Sequence, residues 1–295
     1  MKFYKSITRD AAGYLFLTPW LIGLLAFTLI PIVASFYLAL TDYDLFSQPT
    51  WVGLDNYKEM FTNDHRFYQS LKVTVTYVLI GVPLELMFAL LLALALSKGI
   101  AGLRFYRAVY YIPSLFGGSV AIAILWREVF GADGIFNQLL SVFGITGVSW
   151  IASPEYAVYT LVLLKVWQFG SPMIIFLAGL QQIPKELYES AGIDGAGRLS
   201  SLLHITFPLL TPLIFFNLIM QIISAFQAFT PAYIISNGSG GPLDSTLFYT
   251  LLLYREGFAN FNMGYASALA WVLLAIIAVF TALTFISSKK WVHYE

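Results

Sequence analysis

Residues 73–97 read Val73-Thr-Val-Thr-Tyr-Val-Leu-Ile-Gly-Val-Pro-Leu-Glu-Leu-Met-Phe-Ala-Leu-Leu-Leu-Ala-Leu-Ala-Leu-Ser97, an apolar run whose one charge is Glu85. About 20 such residues carry a helix across the hydrocarbon core of a bilayer. Working outward, five more runs have this character: Tyr14–Leu40, Ala108–Phe130, Tyr156–Leu180, Phe207–Ile235 and Met263–Ser287. The chain therefore reads as an all-α membrane protein with six transmembrane helices, and the longer runs must tilt, kink or project beyond the membrane.

Composition agrees. Of 295 residues, 59% are hydrophobic and 11% charged, where a soluble domain carries about 25% charged residues. A mean hydropathy of +0.76 leaves too much apolar surface for a soluble core to hide. Sixteen basic and sixteen acidic residues cancel, which argues against a nucleic acid partner, because phosphate binding wants a basic surplus. With no cysteine, disulfides, thiolate chemistry and Cys-based metal sites are excluded. His65, His204 and His293 share no ligand spacing, so no metal site is expected.

The first run starts after Lys2, Lys5 and Arg9, as a signal peptide would, but it is too long and no small-residue cleavage site follows. It reads as a retained helix. Six spans place Lys2, Lys5, Arg9, Lys98, Arg104, Arg107, Lys185, Arg198, Lys289 and Lys290 on one side and Lys58, Arg66, Lys72, Arg127 and Arg255 on the other. The positive-inside rule then puts both termini in the cytoplasm. Pro31, Pro83, Pro113, Pro172, Pro208 and Pro212 interrupt the spans, which suits either a bundle lining a pathway or ordinary kinking. No internal repeat is visible, so an inverted-repeat transporter finds no support.

The cytoplasmic loop at 181–208 is not a plain connector. It reads Gln181-Gln-Ile-Pro-Lys-Glu-Leu-Tyr-Glu-Ser-Ala-Gly-Ile-Asp-Gly-Ala-Gly-Arg-Leu-Ser-Ser-Leu-Leu-His-Ile-Thr-Phe-Pro208. Pro184 suits a first helical turn, and Ile183, Leu187, Tyr188 and Ala191 share one face at helical spacing. Gly192, Gly195 and Gly197 end that helix, a second amphipathic stretch holds Leu199, Leu202 and Leu203, and Pro208 is expected to mark re-entry into the membrane. Small residues at the centre of this helix–turn–helix let another backbone approach, and Glu189 offers a charge-assisted hydrogen bond. A helix resting on lipid usually carries Lys and Arg on its polar face. The mixed set Lys185, Glu186, Glu189, Asp194 and Arg198 favours a docked protein.

The spacing Glu189-Ser190-Ala191-x3-Gly195-x9-Ile205-x-Phe207-Pro208 resembles the "EAA" loop of the permease subunits of ABC importers, Glu-Ala-Ala-x3-Gly-x9-Ile-x-Leu-Pro, with mild departures at Ser190 and Phe207. Val52-Gly-Leu-Asp-Asn-Tyr57, Arg104-Phe-Tyr-Arg107 before Pro113, Trp126 before Gly134-Ile-Phe-Asn137, Asn237-Gly-Ser-Gly-Gly-Pro242 and Gly264-Tyr-Ala-Ser-Ala268 are similar to segments of the carbohydrate branch of that family. The resemblance covers nearly the whole chain. It implies a type I importer permease, one transmembrane domain over 1–295 in a bacterial or archaeal inner membrane. It implies a second permease subunit, a different chain, two cytosolic ATPase subunits and an extracellular solute-binding protein that delivers a carbohydrate. Leu187, Tyr188, Glu189, Ser190, Ala191 and Gly195 would form the ATPase-coupling helix and its turn.

No Gly-Lys dipeptide occurs, so the phosphate-cradling G-x-x-x-x-G-K-[ST] loop is absent. ATP and Mg would sit on the partner ATPase; this chain would bind no cofactor and carry no catalytic residue.

Candidates for the substrate path come from polar groups inside spans. Asn217, Gln221, Ser224 and Gln227 form one helical stripe, near Tyr233 and the Trp167-Gln168 pair. Interhelical hydrogen bonding would explain the stripe equally. Lys165 is costly inside a membrane. It either lines the path, pairs with Glu85, or snorkels to the outer face. Two other function classes stay in view. An ion-coupled secondary transporter would need no ATPase. A membrane-embedded transferase would want clustered acids or histidines, whereas Asp42, Asp44, Asp55, Glu59 and Asp64 are scattered.

Overall fold

The computed structural model describes residues 14–97 and 102–293. Lys2, Lys5, Arg9 and Lys98, used above for orientation, lie outside the described residues. The chain divides into two compact units, one of residues 14–63 with 256–272, the other of residues 64–255 with 273–293. Among the described residues, five helices are long and apolar enough to cross a membrane, and a bent pair supplies a sixth crossing if its two halves count as one span.

In the first unit, the first span runs Tyr14–Leu38. A widened π turn at Leu25–Leu29 precedes Pro31, which cannot donate to the carbonyl of Phe27. No residue in this span's apolar window is buried, so Phe16, Trp20, Phe27 and Val33 must face lipid or other membrane helices. A two-residue ladder follows, Thr41 opposite Trp51 and Asp42 opposite Thr50. Asn56, on the helix Asp55–Thr62, donates to the carbonyls of Ala39 and Thr41 at 3.0 Å each. The Val52–Tyr57 motif therefore pins the end of the span. Gly264 is needed for a close approach: a Cβ there would lie 2.1 Å from the Thr41 carbonyl oxygen.

In the second unit, the second span starts at His65 rather than Val73 and runs to Leu96. The Asp64 carboxylate accepts from the backbone N–H groups of Arg66 (2.8 Å) and Phe67 (3.1 Å), so a polar cap adds turns ahead of the apolar run. The third apolar run is not one straight helix. It divides into Leu103–Phe116 and Val120–Val129, bent by 97°. Gly117-Gly118 break the helix, and the Ser119 hydroxyl starts the next by accepting from Ile122 N–H at 3.3 Å. The fourth span pairs Ala157–Trp167 with Gly170–Gln182. Pro172 removes the donor that would reach the Gln168 carbonyl.

The fifth span also departs from expectation. The second amphipathic stretch of the loop is not separate from it: Arg198–Ser201, a π turn at Leu202–Thr206 and Phe207–Phe226 follow without a break, and Thr230–Ile235 comes after an interruption at 227–229. Pro208 thus lies within a helical run instead of opening one. The carbonyl of Pro208, left without a donor by Pro212, accepts from the Thr211 hydroxyl at 2.6 Å, the local repair that lets membrane helices tolerate proline. The sixth span, Met263–Ser288, packs Phe280 on Phe226 and Phe285 on Phe215, both with ring centroids 5.0 Å apart. The core of this unit lies among spans two, four and five, with Val78, Val82, Leu161, Leu164, Phe176 and Phe226 buried.

Candidate functional site

The loop at 181–208 builds a short helix, Lys185–Ile193, with Pro184 ahead of it in an extended conformation. Its end is specified locally. Gly195 has φ +77°, a left-handed conformation that side chains with a Cβ resist. The Ala196 N–H donates to the Ala191 carbonyl at 2.8 Å, and the Gly195 N–H to the Gly192 carbonyl at 3.1 Å. These are the two bonds of a Schellman ending, so Ala191 and Gly195 of the motif serve one turn. Gly192 sits inside the helix, not at its break.

Leu187, Glu189 and Ser190 are exposed, whereas Ile183, Tyr188 and Ala191 are half-buried. Leu187 therefore leaves the face that its spacing had grouped with them. The Tyr188 hydroxyl hydrogen-bonds the Thr206 hydroxyl at 2.8 Å. Among the described residues, Glu189 has neither ion pair nor hydrogen-bond partner. Ile193, 87% exposed at the helix end, was not singled out from sequence. Its signal was a large apolar residue at the tip of a polar turn. Thr206 carried no sequence signal, since it stands 18 residues from Tyr188.

The intramembrane candidates separate into distinct places. Lys165 Nζ lies 2.9 Å from Glu85 Oε2, with side chains 7% and 2% exposed. The contact is an ion pair by distance, although its angles fall short of a directed hydrogen bond. Lys165 also donates to Gln221 Oε1 at 3.1 Å. One ammonium thus ties spans two, four and five together, and the pairing alternative for Lys165 is the one realised. Its stem runs beside Gly81, where a Cβ would meet Lys165 Cδ at 3.1 Å.

The polar stripe of span five does not stay together. Asn217 is buried and donates to the Leu213 carbonyl of its own helix at 3.1 Å. Gln221 joins Lys165, while Ser224 and Gln227 are exposed. Trp167 packs against Trp126, with centroids 5.9 Å apart. Gln168 plugs the break in span three, its Nε2 donating to the Gly117 carbonyl at 3.0 Å. Tyr233 stands in an aromatic cluster with Phe229 at 5.3 Å and Tyr254 at 5.5 Å.

A chain with five or six candidate membrane spans and an exposed, glycine-terminated helix between spans four and five matches a protein family model. That model, the binding-protein-dependent transport system inner membrane component, matches residues 60–292. The chain belongs to this family. It is 56% identical over 297 residues to the probable ABC transporter permease protein YesP of Bacillus subtilis (strain 168), covering 100% of this chain and 96% of that one. It is 36% identical to the arabinooligosaccharides transport system permease protein AraP of the same organism, covering 92% and 87%. It is 32% identical to the trehalose/maltose transport system permease protein MalF of Thermococcus litoralis, covering 91% and 90%. A chain of a solved bacterial alginate ABC transporter, in complex with an alginate pentasaccharide-bound periplasmic protein, superposes with TM-score 0.84 at 22% identity, covering 98% of both chains. That likeness shows the shared fold.

As a multi-pass inner membrane permease, the chain is a transport subunit. Several of its resembling segments have structural reasons. The Asn137 amide donates to the carbonyls of Ala132 and Val148 at 2.8 Å each, and its oxygen accepts from Trp150 Nε1 at 2.7 Å. Arg127 donates to Asn237 Oδ1 at 2.7 Å. Arg66 holds Asp244 through two nitrogens, at 3.0 and 2.8 Å. These bonds fix the loops that join spans three to four and five to six in the permease.

Proposed function

We propose that this permease is one of two transmembrane subunits of an ATP-driven carbohydrate importer. Its loop at 181–208 docks a cytosolic ATPase. The observation that carries the reading is the exposed helix Lys185–Ile193, held out by a Schellman turn, with Leu187, Glu189 and Ser190 open to solvent. A helix so fixed presents a small-residue surface and an unpaired carboxylate to a groove on another protein. Both termini and this loop lie on the cytoplasmic side, and residues 1–295 act as one permease domain. The second permease is a different chain, and a solute-binding protein delivers substrate from outside. ATP and Mg bind the ATPase, and this chain contributes no catalytic group.

The substrates in the relatives' names, arabinooligosaccharides and trehalose/maltose among them, support an oligosaccharide as substrate. Ser224 and Gln227, exposed on span five, and Tyr233 beyond the break at 227–229 would meet its hydroxyls and ring faces in this reading, which their exposure and ring chemistry support. Gln221, Lys165, Trp167 and Gln168 hold the helices around that path, while Asn217 bonds within its own helix. The test is co-purification in mild detergent of tagged wild type and Glu189→Lys. Wild type should bring down a second permease and an ATPase, and the variant should keep the permease and lose most of the ATPase. An ATPase retained equally by both would refute docking through this loop.

A further inference from the structure

We infer that the Tyr188–Thr206 hydrogen bond is a transmission clip, the side-chain link through which movement of the docked helix reaches span five. This rests on the docking role of the loop. The backbone route between the two is soft. From Ile193 the chain passes the left-handed Gly195 and the extended Gly197 before Arg198. Glycines resist torsion least, so a push on Lys185–Ile193 would be absorbed there. Packing offers no firm alternative. An open groove of about 1270 Å³ runs beside the helix along the ends of spans two, four and five, lined by Leu91, Leu94, Leu180, Leu199 and Leu202 together with Tyr188 and Thr206. Side chains on opposite walls of a groove this wide do not touch one another. The Tyr188 ring reaches across, and its hydroxyl ends 2.8 Å from Thr206 Oγ1.

The receiving end is built to respond. Thr206 is buried and closes the π turn Leu202–Thr206. Its hydroxyl also reaches the Ser201 carbonyl at 3.4 Å. Pro208 and Pro212 then remove the donors owed to the carbonyls of His204 and Pro208. Widened turns and missing ladder bonds are where helices bend. The clip is thus fastened just ahead of the weakest backbone of span five, and Tyr188 acts as a positioning residue.

The chain has no cysteine, so one introduced at Ser224 reports on span five without background labelling of this subunit. The complete transporter carrying Ser224→Cys is reconstituted in phospholipid vesicles. Labelling by N-ethylmaleimide is timed with and without ATP, Mg and orthovanadate. With the clip intact, nucleotide should change the labelling rate several-fold. Tyr188→Phe and Thr206→Val, each lacking one hydroxyl, should keep the ATPase bound yet lose that response. Their double variant should be no worse than either alone, and Thr206→Ser should respond as the parent does. A nucleotide response that persists in Tyr188→Phe overturns the proposal. So does a parent that holds its ATPase and shows no response. Failure of the docking reading is distinguished beforehand, without nucleotide, by Glu189→Lys retaining the ATPase.

Discussion

Replacing Lys165 with methionine should destabilise this permease strongly, and replacing Glu85 at the same time should undo most of the damage. In the wild type the two charges lie 2.9 Å apart and almost fully out of solvent, with Gln221 as Lys165's other polar contact. Lys165→Met leaves the Glu85 carboxylate buried without a cation. Removing one partner of a buried ion pair costs about 3–5 kcal/mol, whereas replacing both with apolar groups of similar volume is often neutral or stabilising. Methionine suits both positions because its flexible thioether fills irregular space. Glu85→Met should cost somewhat less than Lys165→Met, since Gln221 Oε1 remains to accept from the orphaned ammonium. At about 2–4 °C per kcal/mol, each single variant should lower the apparent Tm by at least about 6 °C. The double variant should return to within a few degrees of wild type. The assay is fluorescence-detected thermal unfolding of the four proteins in one detergent at one concentration. Single variants melting within about 2 °C of wild type, or shifts that simply add in the double variant, would refute the view that one pair locks three spans together.

Two further substitutions probe the backbone. Gly170→Ala should loosen the contact between Leu103–Phe116 and Gly170–Gln182, because the new Cβ would lie 2.5 Å from the Tyr110 carbonyl oxygen. The backbones must part, and a drop of several degrees in apparent Tm checks it, whereas Gly23→Ala, with open space around it, should be neutral. Gly195→Ala should cost about 1 kcal/mol through its left-handed φ. Because the strain sits at the end of the docking helix, weaker ATPase co-purification should exceed any change in Tm.

Much of the architecture was legible before any coordinates. Tyr14–Leu38 and Met263–Ser288 are helices long and apolar enough to cross a membrane close to where hydropathy placed spans, and His65–Leu96 contains the expected apolar run, since apolar length is a property of each segment alone. The Gly195 turn was equally readable, because a left-handed residue ending a helix is decided within a few residues. The bend at Gly117-Gly118-Ser119 had its signal in the chain too. A window average of hydropathy is blind to direction, and two short apolar helices at 97° score as one. That the helix carrying span five starts at Arg198, ahead of Pro208, was not legible, because a proline tolerated inside a helix looks, in sequence, like one that begins it.

The membrane class, the crossings, the glycine turn and the family all followed from local chemistry and spacing, with no knowledge of what touches what. Tertiary structure alone decided that Lys165 meets Glu85, and that Gln168 bonds the Gly117 carbonyl at the break in span three. It also split one polar stripe, with Asn217 buried, Gln221 half-buried against Lys165, and Ser224 and Gln227 exposed. The reason is geometric. Periodicity says which side chains share a helix face, but the partner of that face depends on how distant helices are turned toward one another, and a buried charge takes whichever opposite charge that packing brings within about 3 Å.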